Sequence, residues 1–170
     1  SFVVKRTAIH SLKEDDRRRK NENIFVDLAF ELTRDNELID LKNKMLYSFL
    51  ATKYNTQLPF IVNSDFQLTG DRERIKEDSN WNKFIFECAV ELFKDTVEFF
   101  KKKKDYENTF YGIIPERHLC PVDRQILKEF YESVHQYCVK SKIILTESGQ
   151  FEVGEECYFD DKGISTVISN

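Results

Sequence analysis

From Ile24 onward the chain sorts its side chains by a period of two. Ile24, Val26, Leu28, Phe30 and Leu32 fall on one face of an extended backbone, and Asp27, Ala29, Glu31 and Thr33 on the other. Successive residues of a strand point to opposite faces, so this pattern specifies a strand with one buried face. Asp35-Asn36 breaks it. One strand is not stable by itself, and the segments around it must supply partners.

Several do. Phe2 to Ile9 mixes β-branched residues with charges and reads as a strand suited to a sheet edge. Met45 to Leu50 is a short apolar, strand-like run, and Ala51 to Gln57 reads as a polar loop. Leu58-Pro59 opens a further strand, with Phe60, Val62, Phe66 and Leu68 on one face and Asn63, Asp65 and Gln67 on the other. Proline fits the first residue of a strand, where its missing N–H is not needed.

After Thr69-Gly70 the period changes. Asp78-Ser79-Asn80 offers side chains that cap a helix N-terminus. Trp81, Phe84, Ile85, Cys88, Ala89, Leu92, Phe93, Thr96, Val97 and Phe100 then recur at helical spacing. This long amphipathic helix runs into Lys101 to Lys104, whose cations complement the negative end of a helix. Phe110 to Ile114, before Pro115, reads as a short extended piece. Val122, Ile126, Phe130, Val134 and Cys138 mark a second helix, flanked by Leu127, Tyr131 and His135. Lys142 to Thr146 is a strand that Glu147-Ser148-Gly149-Gln150 turns towards Phe151 and Val153. The remainder is expected to fray.

Strands followed by helices predict an α+β fold: a mixed or antiparallel sheet with helices on one face, then a small C-terminal helix and hairpin. Residues 1–110 hold the sheet and long helix. Residues 111–170 either continue that domain or begin the next.

Composition narrows the function. The 170 residues are 41% hydrophobic, enough for a sizeable core, and the formal net charge is −4. An acidic balance argues against nucleic acid or acidic lipid as a partner of the whole protein. No apolar run approaches the ~18 residues of a membrane-spanning helix. Lys13 to Lys20 (KEDDRRRK) reads as a solvated loop. The start, Ser1-Phe2-Val3-Val4-Lys5-Arg6, is not a secretory signal and lacks an initiator Met, which reads as a piece of a longer polypeptide. Cys88, Cys120, Cys138 and Cys157 are far apart and form no CxxC pair, as expected of reduced thiols in a cytosolic or nuclear protein.

Catalytic motifs are absent. The chain has no GxSxG, HExxH, P-loop or GxGxxG. His118, Cys120, His135 and Cys138 could in principle offer nitrogen and sulfur to a metal. However, His118 and Cys120 have only one residue between them, unlike zinc spacing, and Cys138 lies on the apolar stripe of its helix. One segment stands apart. PFIVNSDFQLTGDRERI (59–75) is a strand ending in a Gly-containing turn that presents Arg72 and Arg74. A guanidinium there reaches a phosphate bidentately, or merely pairs with Asp71, Glu73 or Glu77.

Tyr47-Ser48-Phe49-Leu50-Ala51-Thr52, then LPFIVNSDFQLTGDRERI, then Asp78-Ser79-Asn80-Trp81-Asn82, resembles the region after the ATPase module in sacsin and NO VEIN-like proteins. These carry a GHKL nucleotide-binding fold, the class of histidine kinases, gyrase and the heat-shock chaperone. Gly112-Ile113-Ile114-Pro115 and the segment IILTESGQFEVGEE look like the same family. Ala51 stands where the family usually has Pro. The resemblance covers most of the chain and implies a middle, or transducer-like, domain built as a βαβ-containing sandwich. It implies Arg72 as the sensor of the ATP γ-phosphate, with Glu73 orienting the turn, and Asn63 and Asp65 structural. ATP and Mg²⁺ would be bound mainly by an N-terminal ATPase domain of the same polypeptide, absent from this chain, so the fragment alone is expected to bind little or no ATP. Protein clients are the other implied partners. The competing expectation is a protein-interaction or scaffold module without a nucleotide role, which requires an exposed apolar patch. A third, nucleic-acid binding through Arg17 to Lys20 and Lys101 to Lys104, requires both basic runs on one face.

Overall fold

The structure is a computed structural model that describes residues 2–9, 24–103, 106, 109–146 and 148–154. Its contacts divide the chain into two units, Ser1–His135 and Gln136–Asn170. Residues 111–135 belong with the sheet and the long helix to the first unit.

The first unit is α+β. Its strands are β1 (Phe2–Ile9), β2 (Ile24–Glu31), β3 (Met45–Ser48), β4 (Leu50–Asn55) and β5 (Ile61–Asn63), in the sheet order β1-β2-β5-β3-β4. The period-two stretch is β2. It pairs antiparallel with β1 along its whole length, from Phe2 opposite Glu31 to Ile9 opposite Ile24, and antiparallel with β5 on its other side. β1 is an edge, as its charges suggest. β5 also pairs parallel with β3, Tyr47 opposite Asn63, so the sheet is mixed. The chain passes between β3 and β5 through β4, not through a helix, so this parallel pair is made without the implied βαβ crossover.

The supposed polar loop at Ala51 to Gln57 is mostly strand. β4 folds back on β3 with Ser48 opposite Leu50, and Phe49 alone makes the tip. Thr52 and Tyr54 alternate inward, as does Thr56 just beyond the strand, and each is buried with its hydroxyl bonded. Thr52 Oγ1 donates to the Leu46 carbonyl at 2.8 Å and Thr56 Oγ1 to that of Lys44 at 2.9 Å. Buried hydroxyls cost little once they are hydrogen-bonded.

Helix α1 (Asn80–Lys101) begins where the caps predict: the Ser79 hydroxyl accepts the Asn82 amide at 3.2 Å. Its apolar stripe lies on one sheet face. Phe30 meets Phe60 and Phe100 at 5.0 and 5.6 Å between ring centroids, and Phe60 stacks on Phe93 at 5.7 Å. α3 (Gln125–Lys140) brings Phe130 to the same cluster, 5.7 Å from Phe86 and 6.5 Å from Phe60. Val122 lies before α3 and is fully exposed rather than part of its stripe. The stretch from Phe110 is not extended: Thr109–Gly112 forms one helical turn, α2. On the opposite sheet face Phe2, Val4 and Phe25 are exposed.

In the second unit, β6 (Ile144–Leu145) and β7 (Phe151–Glu152) form the expected hairpin. Gly149 takes a φ of 77° in its turn, a backbone conformation that glycine adopts without strain. Lys142 pairs with Glu152 at 2.8 Å.

Candidate functional site

The extended piece from Leu58 ladders only over Ile61–Asn63. Beyond it the backbone is held by side chains from the start of α1. Trp81 Nε1 donates to the Asp65 carbonyl at 2.8 Å. Asn82, wholly buried, accepts the Gln67 amide through Oδ1 at 2.8 Å. Its Nδ2 donates to the carbonyls of Gln67 and Lys76 at 2.8 and 2.9 Å. Ser79 Oγ also contacts Gln67 Oε1 at 2.8 Å. Phe66, buried against Phe86, anchors the middle of the segment.

This frame carries the turn of Thr69 to Arg74. Leu68 and Ile75 bridge its base, and the Thr69 amide donates to the Arg74 carbonyl at 2.8 Å. Thr69 Oγ1 lies 2.5 Å from Asp71 Oδ1, which also accepts the Glu73 amide at 3.0 Å. The Thr69 hydroxyl, and next the Glu73 amide, hold the Asp71 carboxyl below its ordinary range. Arg72 sits at φ 60°, in the left-handed region, its amide donating to the Thr69 carbonyl at 2.9 Å. This conformation is uncommon for a non-glycine residue and is kept here by the hydrogen bonds of the turn. The Arg72 side chain is exposed, and among the described residues no carboxylate pairs with it. Pairing with Asp71, Glu73 or Glu77 is therefore not what holds it.

Glu73 is engaged elsewhere. Its carboxylate pairs with Lys53 Nζ, and its carbonyl accepts the Lys53 amide at 2.7 Å. The turn is thus tied to the sheet's edge strand β4. Asn63 is structural in geometry: Nδ2 donates to Asp27 at 3.2 Å and Oδ1 accepts the Phe49 amide at 3.0 Å. Arg6 grips the same Asp27 with two nitrogens, at 2.6 and 2.9 Å. Asp65 contributes its backbone carbonyl to Trp81.

Two features escaped the sequence reading. Phe49, also at positive φ (61°), and Leu50 stand side by side at the β3–β4 tip, 75% and 79% exposed. The second is a polar knot. Glu77 accepts the Tyr54 hydroxyl at 2.6 Å through one oxygen and the Ile126 amide in the first turn of α3 at 3.1 Å through the other. Arg124 covers the Tyr54 ring, 4.4 Å from its centroid. Burial first, and then Glu77, push the Tyr54 phenol upward.

The cysteines offer no activated nucleophile among the described residues. Burial raises the thiols of Cys88 and Cys120, and pushes that of Cys138 up to about 11. His118 is exposed, 3.6 Å from Glu116. Among the described residues no three His, Cys, Asp or Glu side chains converge as a metal site would require. No described helix is long and apolar enough to cross a membrane. Of the basic runs, Arg17 to Lys20 and Lys104 lie outside the described residues, as does Cys157. Lys101 pairs with Glu98 at 2.9 Å.

No family model, no curated protein and no solved structure matches this chain.

Proposed function

We propose that this chain is the middle, transducer-like part of a sacsin/NO VEIN-like ATPase or chaperone-like protein of the cytoplasm or nucleus. It couples the nucleotide state of an N-terminal GHKL domain of the same polypeptide to movement or to contact with protein clients. Arg72 is the γ-phosphate sensor. The supporting observation is an exposed guanidinium without a carboxylate partner, on a turn locked by Asn82, Thr69 and the Lys53–Glu73 tie. A cation on the transferring phosphoryl group stabilises charge that develops in the transition state, and an arginine so placed is worth about 10³–10⁵ in rate. These contacts hold the backbone of the turn, so the point from which Arg72 projects does not have to be ordered during the reaction. Glu73 acts as a positioning residue through Lys53. ATP and Mg²⁺ sit in the nucleotide domain, to which this chain lends only Arg72.

The test is ATP turnover by the parent polypeptide, native and Arg72→Ala, with ATP binding measured alongside. Turnover reduced by about 10³ or more with binding retained supports the sensor role. Unchanged turnover removes it.

The second reading, a scaffold module without nucleotide chemistry, is favoured by the Phe49–Leu50 tip. Two adjacent large apolar side chains held in water, that of Phe49 on a left-handed backbone, are costly unless a partner receives them.

A further inference from the structure

The edge of the sheet farthest from Arg72 is β1. Its eight residues, Phe2–Ile9, contain no proline and pair with β2 on one side only, among the described residues. Antiparallel pairing uses half of a strand's N–H and C=O groups, so the other half of β1 points outward in a row.

The side chains along this edge have a definite chemistry. Lys5, opposite Leu28, faces α1, and its ammonium lies 4.3 Å from the centroid of the Phe99 ring. Lys103, just past α1, places its ammonium 4.5 Å from the same centroid and 5.8 Å from that of Tyr106. Two cations therefore share one ring, and among the described residues neither has a carboxylate partner. The ring's π face attracts each ammonium but leaves their mutual repulsion uncompensated. On the other face of the same strand, Phe2 and Val4 are more than half exposed, while Arg6 is already satisfied by Asp27.

We propose that β1 receives an extended acidic peptide segment as an added strand. An Asp or Glu of that segment faces Lys5, and apolar residues at alternate positions cover Phe2 and Val4. Side chains directly opposite each other on neighbouring strands lie about 5 Å apart, so a carboxylate opposite Lys5 meets its ammonium, and the Lys103 ammonium on the same ring adds to the positive charge it meets. A second copy of this chain does not fit. In the full-length antiparallel register, β1 against itself sets Lys5 against Arg6 twice, and facing like charges repel. This surface is independent of Arg72, and its failure leaves the sensor reading untouched.

The test uses the chain itself and a capped peptide of alternating Glu and Val, long enough to pair with all of β1. The control peptide has Lys in place of Glu. Binding is read by peptide fluorescence anisotropy, and its location by amide hydrogen exchange. The proposal expects saturable, salt-sensitive binding of the glutamate peptide and slowed exchange of outward β1 amides. It also expects affinity to fall about fivefold or more in Lys5→Glu and in Lys103→Glu. Lys103→Glu lies outside every helix and strand, so it keeps the test available if Lys5→Glu fails to fold. Lys102→Glu, exposed but away from the Phe99 ring, should change little. No binding of the glutamate peptide, equal binding of the lysine peptide, protection away from β1, or equal weakening by Lys102→Glu would each overturn the proposal.

Discussion

The side-chain amide of Asn82 closes on both backbone polar groups of Gln67, accepting its N–H and donating to its C=O at 2.8 Å each. It therefore acts as a strand would, supplying from the first turn of α1 the pairing that the Asn63–Thr69 segment lacks in the sheet. The adjoining Trp81 does the same for Asp65. Through this one helix end, the position of the Arg72 turn is coupled to the core.

Asn82→Ala removes three part-buried hydrogen bonds, to the Gln67 amide and to the Gln67 and Lys76 carbonyls, which keep the Lys76 and Ser79 amides as donors. At about 1 kcal/mol each, it is expected to destabilise the chain by about 3 kcal/mol in urea unfolding. A loss below about 1 kcal/mol would show that water replaces the amide and that the turn is not held from α1.

Phe60 lies at the centre of the aromatic cluster, touching Phe30, Phe93 and Phe130. Phe60→Ala should cost about 3–5 kcal/mol and Phe60→Leu clearly less, because a residual void loses contacts on every side. Equal costs for the two would mean that the cluster collapses around the site.

Alkali should unfold the protein through two tyrosines. Burial raises the phenols of Tyr54 and Tyr131 above their ordinary value of 10.0. The folded state therefore keeps protons that the unfolded state releases. Stability is unaffected below pH 10 and falls above it, by at most about 1.4 kcal/mol per pH unit for each tyrosine. Tyr131→Phe, which gives up one hydrogen bond to the Thr56 carbonyl, should flatten that decline. An unchanged slope in denaturation from pH 9 to 11 would assign the loss to other groups.

Phe49→Gly tests the hairpin tip. The ring is mostly in water and the backbone is left-handed, so glycine relieves about 1 kcal/mol of strain, set against a similar gain in unfolded-chain entropy. Thermal unfolding should move little in either direction. A large loss of stability would show that the ring packs on the protein, and would weaken the scaffold reading.

Legibility followed hydrogen-bond locality. β2 and α1 were readable because their apolar residues mark the period directly: Val26, Leu28 and Phe30 on the strand, Ile85 through Phe100 on the helix. β4 was missed because its inward positions are Thr52 and Tyr54, whose hydroxyls look solvated until Leu46 and Glu77 are seen to receive them. The strand expected to run through Phe66 and Leu68 stops at Asn63 for the converse reason. Its alternation is real, but the partners of its backbone are side chains about fifteen residues downstream. At the candidate site the sequence singled out Arg72 and its turn. The absence of a carboxylate beside it depended on where Glu73 and Glu77 found other partners.

The sequence by itself determined the class of fold, the long helix with its Ser79 cap, the edge character of β1 and the turn that carries Arg72. These rest on side-chain period and local capping, which act over a few residues. Only the tertiary structure decided the strand order β1-β2-β5-β3-β4, the closing of Lys5 and Lys103 on Phe99, and the knot of Tyr54, Glu77 and Arg124. These join residues far apart in the chain. No local pattern encodes which buried polar group will meet which, because that depends on how the elements pack.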